Sequence, residues 1–130
     1  MQEGNILVAV YGSLRQGHGN NRLLIDSEFL NTELSVSEFT MHSLGGFPAL
    51  VEGTDRVVIE LYGVDDLTFA RLDQLEGYPT MYNRRQITTS HGDAWVYFME
   101  ALHWGSDGVV EGGDWTKFKA RSSLSRGNAI

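Results

Sequence analysis

The fold is decided by residues 57–79, which read VVIELYGV, then DDLTFARLDQLE, then GYP. The first eight residues are almost all apolar and rich in β-branched side chains, which predicts a strong strand. Two aspartates then begin a helical pattern that runs from Leu67 to about Glu76, and Gly77 and Pro79 end it. We therefore expect a strong strand that leads directly into one short helix.

Most segments on either side of this centre have strand character and are joined by turns. In chain order, the predicted strands are residues 6–11, buried on both faces, a bent antiparallel strand at 29–41, a short edge strand at 48–51, the strong strand at 57–64, and a hairpin of 85–89 and 94–99. A loop with three glycines, residues 12–19, follows the first strand. Asn20 or Asn21 is then placed to cap a short helix.

This pattern favours an α+β fold over a doubly wound α/β fold, because the strands are consecutive and only one helix is prominent. We expect a small mixed or antiparallel β-barrel flanked by short helices. The length of 130 residues fits one domain, residues 1–130, since most domains contain roughly 100–150 residues. The polar, serine-rich end predicts that about the last ten residues fray.

The charge of the chain argues against polyanionic partners. Lys+Arg 10 against Asp+Glu 17 gives a formal net charge of −7, so we expect neither nucleic acid nor a membrane as a partner. The absence of cysteine excludes disulfides, and the four histidines are scattered without metal-ligand spacing, so no metal site is expected. Residues 1–5 carry no basic run and precede only a short apolar stretch, which predicts a cytoplasmic location.

Glu76 is the helical carboxylate best placed to face a cavity. At 100° per residue, Phe69, Leu72 and Leu75 form the apolar stripe. Glu76 falls between Phe69 and Leu72 at the margin of that stripe, whereas Asp73 falls on the wetter side. The negative end of the helix and partial burial would both raise the pKa of Glu76. A solvated glutamate at a frayed helix end fits the same geometry, so the helix alone leaves both interpretations open.

The glycine-rich loop begins like a P-loop but lacks its chemistry. Gly12 and Gly17 have the required spacing, but His18 and Gly19 stand where a lysine and a hydroxyl residue must follow, which excludes nucleotide hydrolysis. Ser13 lacks the second glycine of a nucleophile elbow, which argues against a serine hydrolase. Two interpretations remain open, a backbone cradle for a small anionic ligand and a simple turn.

Several segments, in order along the chain, carry a resemblance to a known family. They are Val8-Ala9-Val10-Tyr11-Gly12-Ser13-Leu14-Arg15 followed by Gly17 and Asn20, the strand at 57–64, Leu72-Asp73-x-Leu75-Glu76-Gly77-Tyr78-Pro79 followed by Tyr82-x-Arg84, Ala94-Trp95-Val96-Tyr97, and Gly113-Asp114-Trp115. Together they resemble the γ-glutamylcyclotransferase-like family, in particular its short members related to γ-glutamylamine cyclotransferase. Ile59-Glu60 stands where the family has Gly-Glu, which is a departure from the pattern.

The resemblance implies a γ-glutamyl cyclotransferase that releases 5-oxoproline and a free amine from a γ-glutamyl amide, without a metal or organic cofactor. It implies Glu76 as the acid/base, Tyr82 in the pocket wall, and a substrate loop made of Tyr11, Gly12, Ser13 and Leu14. It also implies a small β-barrel flanked by helices, and it specifies no oligomeric state.

Three rival interpretations remain beside this one. The first is a cyclotransferase for γ-glutamyl dipeptides or glutathione. The second is a catalytically inert fold-mate that binds a small acidic metabolite or a protein partner. The third, a purely structural subunit, predicts no pocket behind Tyr11.

Overall fold

The computed structural model of the protein describes residues 6–102 and 105–120, which fold mainly into β-strands. The strands are β1 (Ile6–Val10), β2 (Glu28–Leu34), β3 (Phe39–Ser43), β4 (Pro48–Glu52), β5 (Val58–Val64), β6 (Asn83–Thr89) and β7 (Gly92–Phe98). The α-helix α1 spans Asp66–Glu76, two 3-10 helices span Gly19–Leu24 and Glu111–Gly113, and residues 115–120 are helical. The predicted fraying of the last ten residues lies outside the described residues.

Five strands form one mixed sheet in the order β2-β5-β1-β7-β6. Strand β1 is antiparallel to β5 and parallel to β7, so that Val8 lies opposite Tyr62 on one side and Trp95 on the other. Strand β2 pairs with the far side of β5, and β6 pairs with the far side of β7, both antiparallel. Strand β1, predicted to be buried on both faces, is therefore an interior strand, and so is β5.

The predicted β-barrel is wrong, because this sheet is open. In the described residues β2 and β6 are its two edge strands and do not pair with each other. The alternating run at 29–41, predicted as one bent strand, forms the two strands β2 and β3. After Leu34 pairs with Val58, the chain leaves the sheet at Ser35, whose Oγ accepts a hydrogen bond from the Val57 N–H at 3.0 Å. Strands β3 and β4 form a separate sheet, so the α+β class is confirmed without barrel closure.

Apolar side chains pack on both faces of the large sheet. Successive residues of β1 alternate between two clusters: Ala9 joins one that contains Phe39 and Trp115, and Val8 joins another that contains Leu72. Strand β3 therefore packs on one face and α1 on the other. Among the helices of the described residues, none has the length and apolar character needed to cross a membrane.

Helix α1 begins and ends where the sequence predicts. Asp65 caps it by accepting a hydrogen bond from the Thr68 N–H at 2.8 Å, and Gly77 ends it in the left-handed conformation with φ 67°. Leu72 is fully buried, but Leu75, which the stripe predicts in the core, is 41% exposed. That part of the prediction is wrong because the last turn of α1 borders a cavity instead of the sheet.

Candidate active site

A cavity of about 400 Å³ lies where the end of β1, the end of α1 and the start of β4 meet. All six residues that the resemblance marks as site residues line it. The last turn of α1 contributes Glu76, the segment before β6 contributes Tyr82, and the loop after β1 contributes Tyr11, Gly12, Ser13 and Leu14. Residues that are distant in sequence thus border one space large enough for a small molecule.

Burial dominates the electrostatics of Glu76. Its carboxylate is half-buried, and in residues 6–102 and 105–120 it accepts no hydrogen bond from a protein donor. Desolvation therefore raises the pKa of Glu76 to about 7. Protonated and ionised forms are then both populated near neutral pH, which is the condition for taking up and returning a proton.

Three tyrosines lie around Glu76, and each of their hydroxyl groups donates a hydrogen bond to an acceptor other than Glu76. Tyr11 donates to the carbonyl oxygen of Tyr97 at 2.8 Å, and Tyr82 donates to the carbonyl oxygen of Pro48 at 2.8 Å. Tyr97 donates to Asp73 Oδ1 at 2.7 Å. Burial, with the negative charge of Glu76 as a further cause, raises the pKa of all three phenols. The three tyrosines therefore stay neutral near pH 7 and do not act as bases, and their hydrogen bonds fix them in the cavity wall.

Two asparagines brace the loop after β1. Asn20 donates from its side chain to Ser13 Oγ at 2.8 Å, and its backbone N–H donates to the Ser13 carbonyl at 3.0 Å. The side chain of Asn21 donates to the Leu14 carbonyl at 2.8 Å. The prediction that one of them caps the following helix is wrong, since His18 occupies the cap position without a side-chain hydrogen bond. The asparagines hold the loop instead.

The backbone N–H groups of this loop are not used up by the fold. Within the described residues, those of Gly12, Ser13 and Leu14 have no protein acceptor. Gly12 also lies against β4, where an added Cβ would come within 2.8 Å of Pro48 Cγ. The close approach explains why this position has no side chain, and all three residues with unused N–H groups line the cavity.

A buried ion-pair network holds the chain directly after Leu14, at the end of the loop that follows β1. Arg15 donates from Nε to Glu60 Oε2 at 2.9 Å and from Nη1 to Asp114 Oδ1 at 3.0 Å. Glu60 Oε1 also accepts the Gln16 N–H at 2.9 Å. Sequence analysis assigned these charged residues no role, although a glutamate inside an apolar strand is a signal for a buried partner.

A second network ties α1 to the large sheet. Asp73 accepts two hydrogen bonds from Arg84 Nη1, at 2.6 and 2.7 Å, as well as the one from Tyr97. The guanidinium of Arg84 lies 4.2–4.8 Å from the ring centres of Phe69, Tyr78 and Trp95. The predicted position of Asp73 on the wetter side is wrong, because its side chain points to β6 and β7. The Tyr82-x-Arg84 motif carried the only sequence signal for this contact.

In the described part of the chain, no three histidine, aspartate or glutamate side chains lie close enough together to bind a metal ion. The family model described as "Gamma-glutamyl cyclotransferase, AIG2-like" matches residues 8–117, and the chain belongs to this family.

Sequence relatives carry names from the same family, and a solved structure shares the fold. A Vibrio cholerae protein, provisionally named a γ-glutamylcyclotransferase, is 40% identical over 109 residues, which cover 84% of this chain and 94% of that protein. The γ-L-glutamyl-butirosin B γ-glutamyl cyclotransferase of Niallia circulans is 32% identical over 69 residues, 53% of this chain and 44% of that protein. A Pyrococcus horikoshii crystal structure shares the fold, with TM-score 0.79, 24% identity, and coverage of 92% of this chain and 97% of that one.

Proposed function

We propose that this protein cyclises the γ-glutamyl group of an amide, releasing 5-oxoproline and a free amine, with Glu76 as the acid/base. One observation carries the proposal. Among the described residues that line the cavity, Glu76 is the one with a charged side chain, and its pKa is raised to about 7. A lone carboxylate that titrates near neutral pH suits a reaction in which one group takes up and returns protons.

The substrate supplies its own nucleophile in this reaction. Its α-amino nitrogen attacks the γ-carbonyl carbon, a new C–N bond closes the five-membered ring, and the original amide C–N bond breaks. Holding both groups together can contribute about 7–11 kcal/mol as effective molarity. A cavity of about 400 Å³ with fixed tyrosine walls favours such a folded substrate conformation.

Protons must then move from the attacking nitrogen to the departing one, and one carboxylate suffices. The α-ammonium group must lose a proton before it can attack, and ionised Glu76 accepts it. The departing nitrogen must gain a proton to become a good leaving group, and protonated Glu76 donates it. The attacking nitrogen must lose a second proton to become the lactam N–H, and Glu76, ionised again, accepts it and passes it to the released amine, which leaves as an ammonium ion. General acid–base catalysis of this kind typically contributes 10²- to 10⁴-fold in rate.

The loop after β1 supplies the donors that bind the substrate. The unused N–H groups of Gly12, Ser13 and Leu14 can donate either to the α-carboxylate of the glutamyl group or to the oxyanion that forms on the γ-carbonyl. The cavity lining contains no arginine or lysine among the described residues, so these backbone donors take the role that a cation plays elsewhere.

A release assay for 5-oxoproline tests the proposal. The panel contains γ-glutamyl amines, γ-glutamyl dipeptides and glutathione. We expect turnover of at least one compound, with Glu76→Gln reducing kcat by about 10²- to 10⁴-fold. Glu28→Gln, at an exposed position of edge strand β2, is the matched control and should keep full activity. Full turnover by folded Glu76→Gln would show that Glu76 is not the acid/base. Binding of 5-oxoproline without turnover would instead favour the inert fold-mate.

A further inference from the structure

A buried cluster of charged side chains lies behind the loop after β1, outside the cavity. Arg15 and Glu60 are 7% and 4% exposed, and the side chain of Asp114 is 18% exposed. The proposed reaction gives none of the three a role, and none of these described residues lines the cavity. Replacing a buried ion pair by apolar residues of similar volume is often neutral or stabilising, because the attraction barely offsets the loss of hydration. A gain in stability is therefore not a sufficient reason for the cluster.

The carboxylate of Glu60 holds the chain at the end of a tight turn. Its Oε2 accepts a hydrogen bond from Arg15 Nε at 2.9 Å, and its Oε1 accepts one from the Gln16 N–H at 2.9 Å. The Arg15 N–H in turn donates to the Gly12 carbonyl at 3.0 Å, which closes a turn over residues 12–15. The two central residues of that turn line the cavity and carry two of the unused N–H groups. Strand β5 thus fixes the end of the turn that contains these donors.

The C-terminal segment holds the same loop through the Gly113-Asp114-Trp115 motif, which the proposed reaction leaves without a role. Asp114 Oδ1 accepts a hydrogen bond from Arg15 Nη1 at 3.0 Å. Trp115, the next residue, is 2% exposed and packs in the core on one face of the large sheet. Gly113 lies so close to the chain before β5 that an added Cβ would come within 2.8 Å of the Arg56 carbonyl oxygen. The motif is thus fixed on both sides of the aspartate that Arg15 contacts.

We propose that Arg15, Glu60 and Asp114 are positioning residues, which hold the loop after β1 so that its backbone N–H groups face the substrate. They act through the loop and do not touch the substrate themselves. This inference rests on the proposed cyclotransferase function and extends its site to β5 and the C-terminal segment. Because a displacement of about 1 Å can lower a rate by about 10²-fold, loss of the cluster should lower kcat/KM even when the protein remains folded.

Two variants separate positioning from stability. Arg15→Met leaves Glu60 buried without a cation, so both the melting temperature and kcat/KM for the fastest γ-glutamyl amide should fall. Arg15→Met combined with Glu60→Met removes both charges, so the melting temperature should return toward that of the unmodified protein. We expect kcat/KM of this double variant to stay about tenfold or more below that of the unmodified protein, at a temperature where both are folded. Recovery of kcat/KM together with the melting temperature overturns the inference.

The matched control makes the same pair of substitutions at a more exposed ion pair. Glu38 and Arg85 contact each other at 3.0 Å and do not line the cavity. Glu38→Met combined with Arg85→Met should keep full kcat/KM, and an equal loss in this variant overturns the inference. Silence of the unmodified protein across the whole panel overturns the cyclotransferase function itself, whereas full activity of the double variant at the buried pair overturns only the positioning role.

A milder variant tests the same claim without removing the buried pair. Asp114→Asn keeps an oxygen for the Lys117 N–H, which Asp114 Oδ1 accepts at 3.2 Å, but removes the charge that Arg15 contacts. We expect kcat/KM to fall by about threefold or more. The midpoint of its pH profile should stay near 7, since burial of Glu76, and not this cluster, raises the pKa of that carboxyl to about 7. Asp93→Asn, exposed on β7, is the control, and equal kcat/KM in the two variants, or a loss that a shifted midpoint explains, overturns the inference.

Discussion

At Glu76, burial opposes ionisation, and no hydrogen bond from the described residues offsets it. The pKa of about 7 follows from this single cause. The surrounding phenols do not titrate in the same range, because burial raises the pKa of each of them further above its usual value. Among these four side chains, Glu76 is therefore the one that gains and loses a proton near neutral pH.

Because Glu76 alone among these groups titrates near neutral pH, we predict a simple pH dependence of the rate. Because Glu76 must be ionised to accept the proton of the α-ammonium group, kcat/KM should fall as the pH drops through about 7 and approach a tenfold loss per unit below it. The measurement is kcat/KM for the fastest γ-glutamyl amide between pH 5 and pH 8. A flat profile across that range would mean that no group with the pKa of Glu76 has to lose a proton.

Residue-level sequence analysis could locate Glu76 but not its surroundings. Helical angles placed the carboxylate at the margin of the apolar stripe, and the structure has it at the cavity. The tyrosine walls come from three distant segments, and only the pairing of β1 with β7 brings Tyr11 to the carbonyl of Tyr97. Leu75 was placed in the core because the angle alone cannot tell a sheet from a cavity.

At the scale of elements, the loop after β1 depends on a close approach between backbone and β4. Gly12→Ala would bring a Cβ within 2.8 Å of Pro48 Cγ, so the loop or β4 must shift. We expect a loss of about 1–3 kcal/mol in the free energy of unfolding, together with a lower kcat/KM. Gly19→Ala is the matched control, since nothing lies within 4 Å of its added Cβ. Urea unfolding of both variants decides this, and equal stability of the two would contradict the close contact.

The orientation of α1 depends on the network of Asp73 with Arg84 and Tyr97. Asp73 lies one turn before Glu76 on the same helix, while its partners lie on β6 and β7. The network therefore sets how the end of α1 meets the cavity. The sequence predicted the helix and the hairpin separately, but their contact required a buried arginine among aromatic rings, which spacing alone does not reveal.

Removing the cation from this network should cost stability. Arg84→Met leaves Asp73 half-buried with the Tyr97 hydroxyl but without its cationic partner, and we expect a loss of about 2 kcal/mol, below the value for a fully buried pair. Arg85→Met, next to it on β6, removes ion pairs with the exposed side chains of Glu38 and Glu52 and should cost less than about 1 kcal/mol. Urea unfolding compares the two, with Asp73→Asn combined with Arg84→Met as a double-mutant cycle. Additive losses in that cycle would argue against coupling between Asp73 and Arg84.

For the whole molecule, the sequence predicted most of the strands of the large sheet, but it did not predict that the sheet is open. The apolar run in β1 predicted an interior strand, the run in β5 predicted a strand, and the turn signals predicted the hairpin of β6 and β7. The barrel was wrong because alternation continues from β2 into β3, although the chain changes sheets at Ser35. Alternation reports that one face of a strand is buried, but it does not say against which sheet.

The central claim concerns the reaction, and turnover in ¹⁸O-labelled water tests it most directly. Intramolecular cyclisation uses no water, so we predict unlabelled 5-oxoproline and the free amine in equal amounts from the unmodified protein, and formation of both products about 10²- to 10⁴-fold slower from Glu76→Gln. Labelled glutamate as the product would mean that water attacks the γ-carbonyl, and it would contradict the cyclisation mechanism.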